Sequence, residues 1–478
     1  MTETPGHSRW TDDPSESSTA GADVTGQDRL RAPGGGGTAR AADRGVTAAR
    51  DGAYLAAGTA VTAMSVALYA AIGGRTYGDD AFDPIAVIWT FWAVSNACLS
   101  FPIQHWVIRS IESNHGDESL VSSALGRIWA WTAAISLVLV GVGWIYRDSF
   151  FPDSTAEYLF LVATIPAGST LIGLIRGSLA ARGRFRSLGL AIAFENFARA
   201  AAGLVVVLLD GSVQFYGLAL LAGYGIGLVY PPRFDRTEER SRERSEHRAE
   251  GGVSSASSGT DRPAGGLLVA VTAASTLRQL VRNGGPALLA AVQAGAGAPA
   301  ELFQALSVFR SPFLLAQGVA TRLTGWITLL VVQHRTAQLR KLIIGTLVAG
   351  VGLALIGFTG GAVLGKPVLK AIYGGDFDFT TVDFGLLGAG SLVSISSLVS
   401  TLILTAMDAR RSIVLAWVCA FGVAVCWIAL APGDAVRRLV VAQFLAEVVA
   451  MLISLWLGNL RTSTASGYRP VRSAWWRP

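Results

Sequence analysis

The stretch Leu267-Leu-Val-Ala-Val-Thr-Ala-Ala-Ser-Thr-Leu-Arg-Gln-Leu-Val-Arg-Asn-Gly-Gly-Pro-Ala-Leu-Leu-Ala-Ala-Val292 is apolar over the length of a membrane-crossing helix, yet it holds Arg278 and Arg282. At about 1.5 Å per residue such a helix covers roughly 39 Å, enough to cross a bilayer with some tilt. The two arginines are four residues apart, on one helix face, near the middle of the span. A charge at that depth costs at least ~2.5 kcal/mol, so this face is expected to turn toward a polar cavity or a partner rather than lipid. The helix therefore reads as part of a cationic pathway for an anionic substrate.

The rest of the chain agrees with a membrane setting. Of its 478 residues 51% are hydrophobic and only 15% charged, and the mean hydropathy is +0.46. A soluble chain would carry about 25% charged residues. The net charge of +6 is no nucleic-acid signal, because the arginines fall between hydrophobic spans, where they set topology. Cys98, Cys419 and Cys426 lie in or beside apolar spans, too few and too scattered for a disulfide framework or a zinc site, and no histidine pair has metal-ligand spacing. No metal or cofactor is expected.

Residues 1–51 have no apolar run, and the reading expects a disordered cytoplasmic tail without a signal peptide. Six spans follow: Gly52–Gly73, Pro84–Ile103, Ile128–Tyr146, Tyr158–Ile175, Leu188–Leu209 and Val213–Tyr230. A charged linker, 231–265, interrupts them with Pro231-Pro232 and an Arg/Glu run from Arg236 to Glu250. Six more spans follow: Leu267–Val292, Leu302–Leu330, Leu342–Leu364, Phe384–Ala406, Ile413–Ala431 and Leu439–Leu457. A basic tail, 461–478, closes the chain. Pro84 suits the first turn of its helix, and Pro166 and Pro312 are expected to kink theirs. Alternate loops carry 18 Lys and Arg on one side and 6 on the other, or 11 to 6 without the linker. Both termini and the linker are thus expected in the cytoplasm, with the protein in the cell membrane.

The loop after span four, Leu179-Ala-Ala-Arg-Gly-Arg-Phe-Arg-Ser-Leu-Gly-Leu-Ala191, matches the loop after span ten, Leu404-Thr-Ala-Met-Asp-Ala-Arg-Arg-Ser-Ile-Val-Leu-Ala416, at six of thirteen positions with a constant offset of 225. Both follow the fourth span of a half, so the halves (52–230 and 266–460) read as parallel repeats with a site between them. The expected fold is all-α: about twelve transmembrane helices in two six-helix lobes around a central cavity.

That organisation, with Arg182-Gly-Arg-Phe-Arg-Ser-Leu-Gly-Leu190 followed by Glu195 and Arg199, and Leu369-Lys-Ala-Ile-Tyr-Gly-Gly-Asp-Phe377 before span ten, resembles the polysaccharide and oligosaccharide flippases of the multidrug/oligosaccharidyl-lipid/polysaccharide (MOP) exporter superfamily. The resemblance implies a transporter, not an enzyme, that moves polyprenyl-pyrophosphate-linked sugars across the cytoplasmic membrane by alternating access. Cavity arginines would face the pyrophosphate. The implied partners are the lipid-linked sugar, membrane lipids, and glycosyltransferases or a polymerase of the same pathway. Span one has no carboxylate, unlike some drug-antiporter relatives, and leaves the coupling ion open.

Arg278, Arg282 and Arg310 are the candidate pyrophosphate contacts, since a guanidinium fork matches phosphate oxygens in pairs. Alternatively, Arg278 and Arg282 pair with Glu195 or Glu447 as a clamp between helices, and Arg310 caps or snorkels. Arg322, nearer a span end, is expected to snorkel. Glu195 and Arg199, spaced i, i+4, read as an ion pair. Glu195, and less strongly Glu447, could instead be a proton-coupling carboxylate. The Gly-rich runs Gly223–Gly227 and Gly385–Gly390 read as close helix packing. The competing function is a drug or small-molecule antiporter on this fold or on a major-facilitator-type fold. The second loop, Glu112-Ser-Asn-His-Gly-Asp-Glu118, lacks the acidic/basic Gly-rich signature of the latter. A membrane enzyme would need a sizeable external loop or a carboxylate cluster.

Overall fold

The computed structural model describes residues 36–113, 118–152, 154–231, 234, 265–375 and 377–463, without the side chains of 36–51, 112–113, 265–271, 318–322 and 324–325. The linker, the basic tail and the Arg322 side chain lie outside the described residues. The chain divides into two units, Met1–Ala48 and Ala49–Pro478. Of the first, only the backbone at the start of one helix is described; all packing below belongs to the second.

Every regular element among the described residues is helical. The first half comprises α1 (Gly36–Tyr77), α2 (Asp79–Ser95), a π-helical turn (Asn96–Ser100), α3 (Phe101–Ser113), α4 (Ser119–Ile145), the short α5 (Arg147–Phe150), α6 (Thr155–Ala181) and α7 (Phe185–Leu208). It ends with α8 (Val213–Leu218), a 3₁₀ segment (Ala219–Gly225) and α9 (Ile226–Val229). The second half comprises α10 (Gly265–Asn283), α11 (Gly285–Ala291), α12 (Ala298–Phe309), α13 (Ser311–Val332), α14 (Thr336–Tyr373), α15 (Thr381–Ala406), α16 (Arg410–Leu430) and α17 (Ala435–Ser463). Nine uninterrupted helical stretches among the described residues are long and apolar enough to cross a bilayer. This is an all-α membrane fold in two lobes.

Several boundaries depart from the sequence reading. Helix α1 already begins at Gly36, where disorder was expected; Ala39, Ala41, Ala42 and Ala48 favour helix without any apolar run. Pro84 lies five residues past the start of α2, not in its first turn. Helix α6 continues through Pro166. The expected single helix Leu267–Val292 is two helices, α10 and α11, broken at Gly284. Pro286 has no N–H for the Arg282 carbonyl and its ring crowds that turn. Span eight breaks likewise at Arg310, with Pro312 in the first turn of α13. Helix α15 starts three residues before Phe384 because Thr380 and Asp383 form a capping box: Asp383 N–H donates to Thr380 Oγ1 (3.3 Å) and Thr380 N–H to Asp383 Oδ2 (3.0 Å).

The matched loops have one geometry. Helices α6 and α15 end at Ala181 and Ala406, and α7 and α16 start at Phe185 and Arg410, all 225 residues apart. Gly183 (φ 66°) and Asp408 (φ 49°) occupy the left-handed position. Arg184 N–H donates to the Leu179 carbonyl and Ala409 N–H to the Leu404 carbonyl, both at 2.9 Å. That is the Schellman helix ending, made twice.

Packing relates the halves differently at their two ends. At the end holding the α1–α2 turn, one apolar core runs through both: Phe82, Ile85, Ile88, Tyr158 and Tyr216 share it with Leu289, Phe303, Leu306, Tyr373 and Phe384. Elsewhere the buried residues form clusters confined to one half, such as Leu99, Val107 and Leu174, or Ile172, Leu188 and Ile226, in the first. Ala274, Ile327, Ile413 and Trp417 belong to such a cluster in the second. In lipid, close contact rather than water exclusion holds helices together. Accordingly, glycines line the α14–α15 crossing: a Cβ on Gly388 would lie 2.1 Å from the Gly357 carbonyl oxygen.

Candidate functional site

Among the described residues, the arginines and glutamates deep in the spans gather in two clusters, one in each half. In the first, Arg199 of α7 lies 2.9 Å from Glu195 on the same helix, and Arg176 of α6 lies 2.5 Å from the other oxygen of that carboxylate. Arg199 also donates to the Leu220 carbonyl (3.0 Å) and to Asn196 Oδ1 (2.9 Å). Its guanidinium lies between the rings of Trp92 and Tyr224, at 4.9 and 5.4 Å from their centroids. Gly223 leaves the space it needs, since a Cβ there would sit 2.6 Å from Arg199 Nε. Glu195 and Arg199 are each 1% exposed, and partners on both sides offset the cost of burying them.

In the second cluster, Arg282 pairs with Glu447 of α17, both buried, and its guanidinium carbon lies 3.7 Å from the centre of the Phe313 ring. Arg278, one turn earlier on α10, lies over Phe313 (4.9 Å) and Trp417 (5.4 Å). Cation–ring contacts of this kind contribute about 0.5–2 kcal/mol each. Arg310, at the α12–α13 break, donates through Nη1 to Asn283 Oδ1 (2.5 Å). Asn283 ends α10, and its carbonyl accepts from Thr90 Oγ1 of the other half at 2.6 Å. The two helix breaks thus face each other, and they bring Arg310 within electrostatic reach of Arg282 and Glu447.

The structure therefore gathers Arg278, Arg282, Arg310 and Glu447 in one half, and keeps Glu195 and Arg199 apart from them in the other. Three guanidinium groups meet one carboxylate, leaving two positive charges. Nε and Nη2 of both Arg278 and Arg310 are buried and have no acceptor among the described residues. Unmet donors on a guanidinium fork are suited to a polyanion such as a phosphate ester. Sequence reasoning missed Arg176, counted as a loop residue, and the aromatic partners Trp92, Tyr224, Phe313 and Trp417. Their roles depend on which helices cross, and no local spacing signals it.

Solved structures of this architecture exist. The chain resembles a multidrug resistance MATE-family transporter of the MOP superfamily in an inward-facing conformation, with a TM-score of 0.53 and 13% identity over 86% of this chain and 94% of that one. It also resembles a MATE transporter in complex with MaL6 (TM-score 0.53, 15% identity, 87% and 97% covered). A third likeness is to a Vibrio cholerae MATE transporter (TM-score 0.51, 12% identity, 88% and 99% covered). At these identities the likeness is one of fold: the chain has the two-lobed fold of MATE transporters. Neither a family profile nor a curated sequence matches it.

Proposed function

We propose that this protein is a transporter of the cell membrane that flips a polyprenyl-pyrophosphate-linked oligosaccharide from the cytoplasmic to the outer face, for cell-envelope polysaccharide synthesis. The observation that carries this reading is the surplus of two positive charges at Arg278, Arg282, Arg310 and Glu447, with buried N–H groups of Arg278 and Arg310 unmatched. A pyrophosphate head supplies the missing acceptors, and the saccharide follows it between the lobes. Arg282, held by Glu447, supplies field and shape more than direct contact.

The topology supports the direction of movement. With both termini cytoplasmic, as the Lys/Arg count of the loops indicates, the shared core at the α1–α2 end is the closed outer side. The clusters confined to one lobe then belong to the side from which a cytoplasmic substrate enters. Glycosyltransferases or a polymerase acting on the same lipid-linked sugar are the fitting partners.

The second reading is a drug antiporter, favoured by the multidrug resistance transporter among the fold's likenesses. A site with excess arginine repels cationic drugs, which makes it the weaker reading. A major-facilitator architecture has no support in this fold.

The test is uptake of a labelled polyprenyl-pyrophosphate saccharide by liposomes carrying the protein. A charge-assisted hydrogen bond contributes about 1.5–3 kcal/mol, so Arg278→Ala and Arg310→Ala should each weaken substrate binding roughly 10- to 100-fold. Unchanged binding in both variants rejects the site. Transport of cationic drugs, with none of the saccharide, favours the antiporter.

A further inference from the structure

At the α1–α2 end the lobes are fastened by hydrogen bonds as well as by the shared core. Arg75 Nη2 of α1 donates to the Ala371 carbonyl of α14 (2.6 Å), and Gln304 Nε2 of α12 donates to Asp79 Oδ1 of α2 (2.7 Å). One turn beyond Asp79 on α2, Asp83 accepts from Gly297 N–H through Oδ2 and from Ala300 N–H through Oδ1, both at 2.8 Å. Helix α12 thus takes its N-terminal cap from the opposite lobe. Its own N-cap, Gly297, has φ 83° and no side chain to do this. A Cβ at Gly297 would meet Asp80 Oδ1 at 3.0 Å and Asp79 Cβ at 3.2 Å, so the approach of α2 needs glycine here for room as well as for backbone angle.

We propose that Asp83 is the site through which protons release the two lobes from each other. As a carboxylate, it holds two backbone N–H groups at the positive end of α12 with charge-assisted bonds, about twice as strong as neutral ones. A proton taken from water onto one oxygen removes the charge and turns that oxygen into a donor, leaving one good acceptor for two N–H groups. The grip on α12 then fails, and the lobes part at this end. The groups facing Asp83 are Asp79 and Asp80 on its own helix. At the same end stand Arg75 and Tyr77 of α1, Arg147 and Asp148 of α5, Glu301 of α12, and Asp378, whose N–H donates to Glu301 (3.1 Å). Asp83 joins its carboxylate to two main-chain donors of the other lobe. The assignment differs from a coupling role for Glu195 or Glu447, both of which are locked to arginines inside a single lobe.

This inference rests only on the reading that the lobes separate at the α1–α2 end, not on the identity of the substrate. Its test therefore uses none. With Cys98, Cys419 and Cys426 replaced by serine, spin labels are placed at the exposed Ala81 and Ala296, and their separation is measured by pulsed electron resonance in lipid nanodiscs from pH 8 to pH 5. The expected result is a short separation at pH 8 that gives way to a longer one at pH 5. Asp83→Asn should hold the longer separation at both pH values. Asp83→Glu and Asp79→Asn should keep the pH response. A wild-type separation independent of pH overturns the proposal without relying on any variant. So does an Asp83→Asn protein that behaves as wild type, or loss of the response in Asp79→Asn instead.

Discussion

The pair Arg282–Glu447 shows what a single residue does in this fold. Glu447 is fully buried and Arg282 nearly so, and the ring of Phe313 covers the guanidinium. Removing one member of such a pair leaves the other charged and buried, at a cost of about 3–5 kcal/mol, whereas replacing both by apolar residues is often close to neutral. Glu447→Gln should therefore lower the thermal midpoint in detergent markedly, and Arg282→Met with Glu447→Leu should recover most of the loss. Equal stability of wild type and Glu447→Gln would show the pair to be dispensable. Apart from Arg176, the charged members of both clusters were legible in the sequence, because charges in apolar spans stand out by their cost. The Glu195–Arg199 pair was legible from its i, i+4 spacing, and Glu447 was one of the two partners open to Arg282, 165 residues away. What no spacing signals is that Arg176 meets Glu195, because that depends on α6 packing against α7.

At the scale of elements, glycine decides how close two helices come. Gly357 and Gly361 of α14 face Phe384 and Gly388 of α15, where added Cβ atoms would lie 2.1–2.4 Å from backbone oxygens. Gly388→Leu forces the helices apart. Overpacking of this kind costs typically 1–3 kcal/mol, and the thermal midpoint should fall accordingly, while Gly352→Leu, which faces open space, should leave it unchanged. The close-packing role of Gly385–Gly390 follows from composition alone, and here it is met at Gly385 and Gly388. The break in the seventh span escaped because hydropathy averages over it, whereas the eighth span, expected to kink at Pro312, breaks two residues earlier at Arg310. Gly284-Gly285-Pro286 carried the signal openly, as a helix-breaking triplet, but an apolar run on either side hid it.

For the whole molecule, twelve hydrophobic segments and a 225-residue repeat were enough to anticipate two helical lobes, and the equal turns at Gly183 and Asp408 add a geometric match. What the pattern could not foretell is which lobe each piece of chain packs against. Helices α11 and α12 come after the linker, yet Leu289, Ala300, Phe303 and Leu306 are buried in a core with Phe82, Trp89 and Tyr216 from before it.

That misplaced hairpin has a consequence for how the polypeptide could be divided. Two separately expressed fragments, ending at residue 230 and starting at 265, should find each other in one membrane and co-purify, since the later fragment brings the apolar plug that the earlier one lacks. Cutting instead at Gly295, between α11 and α12, leaves each fragment with only part of that plug, and its yield of reassembled protein should be the lower of the two.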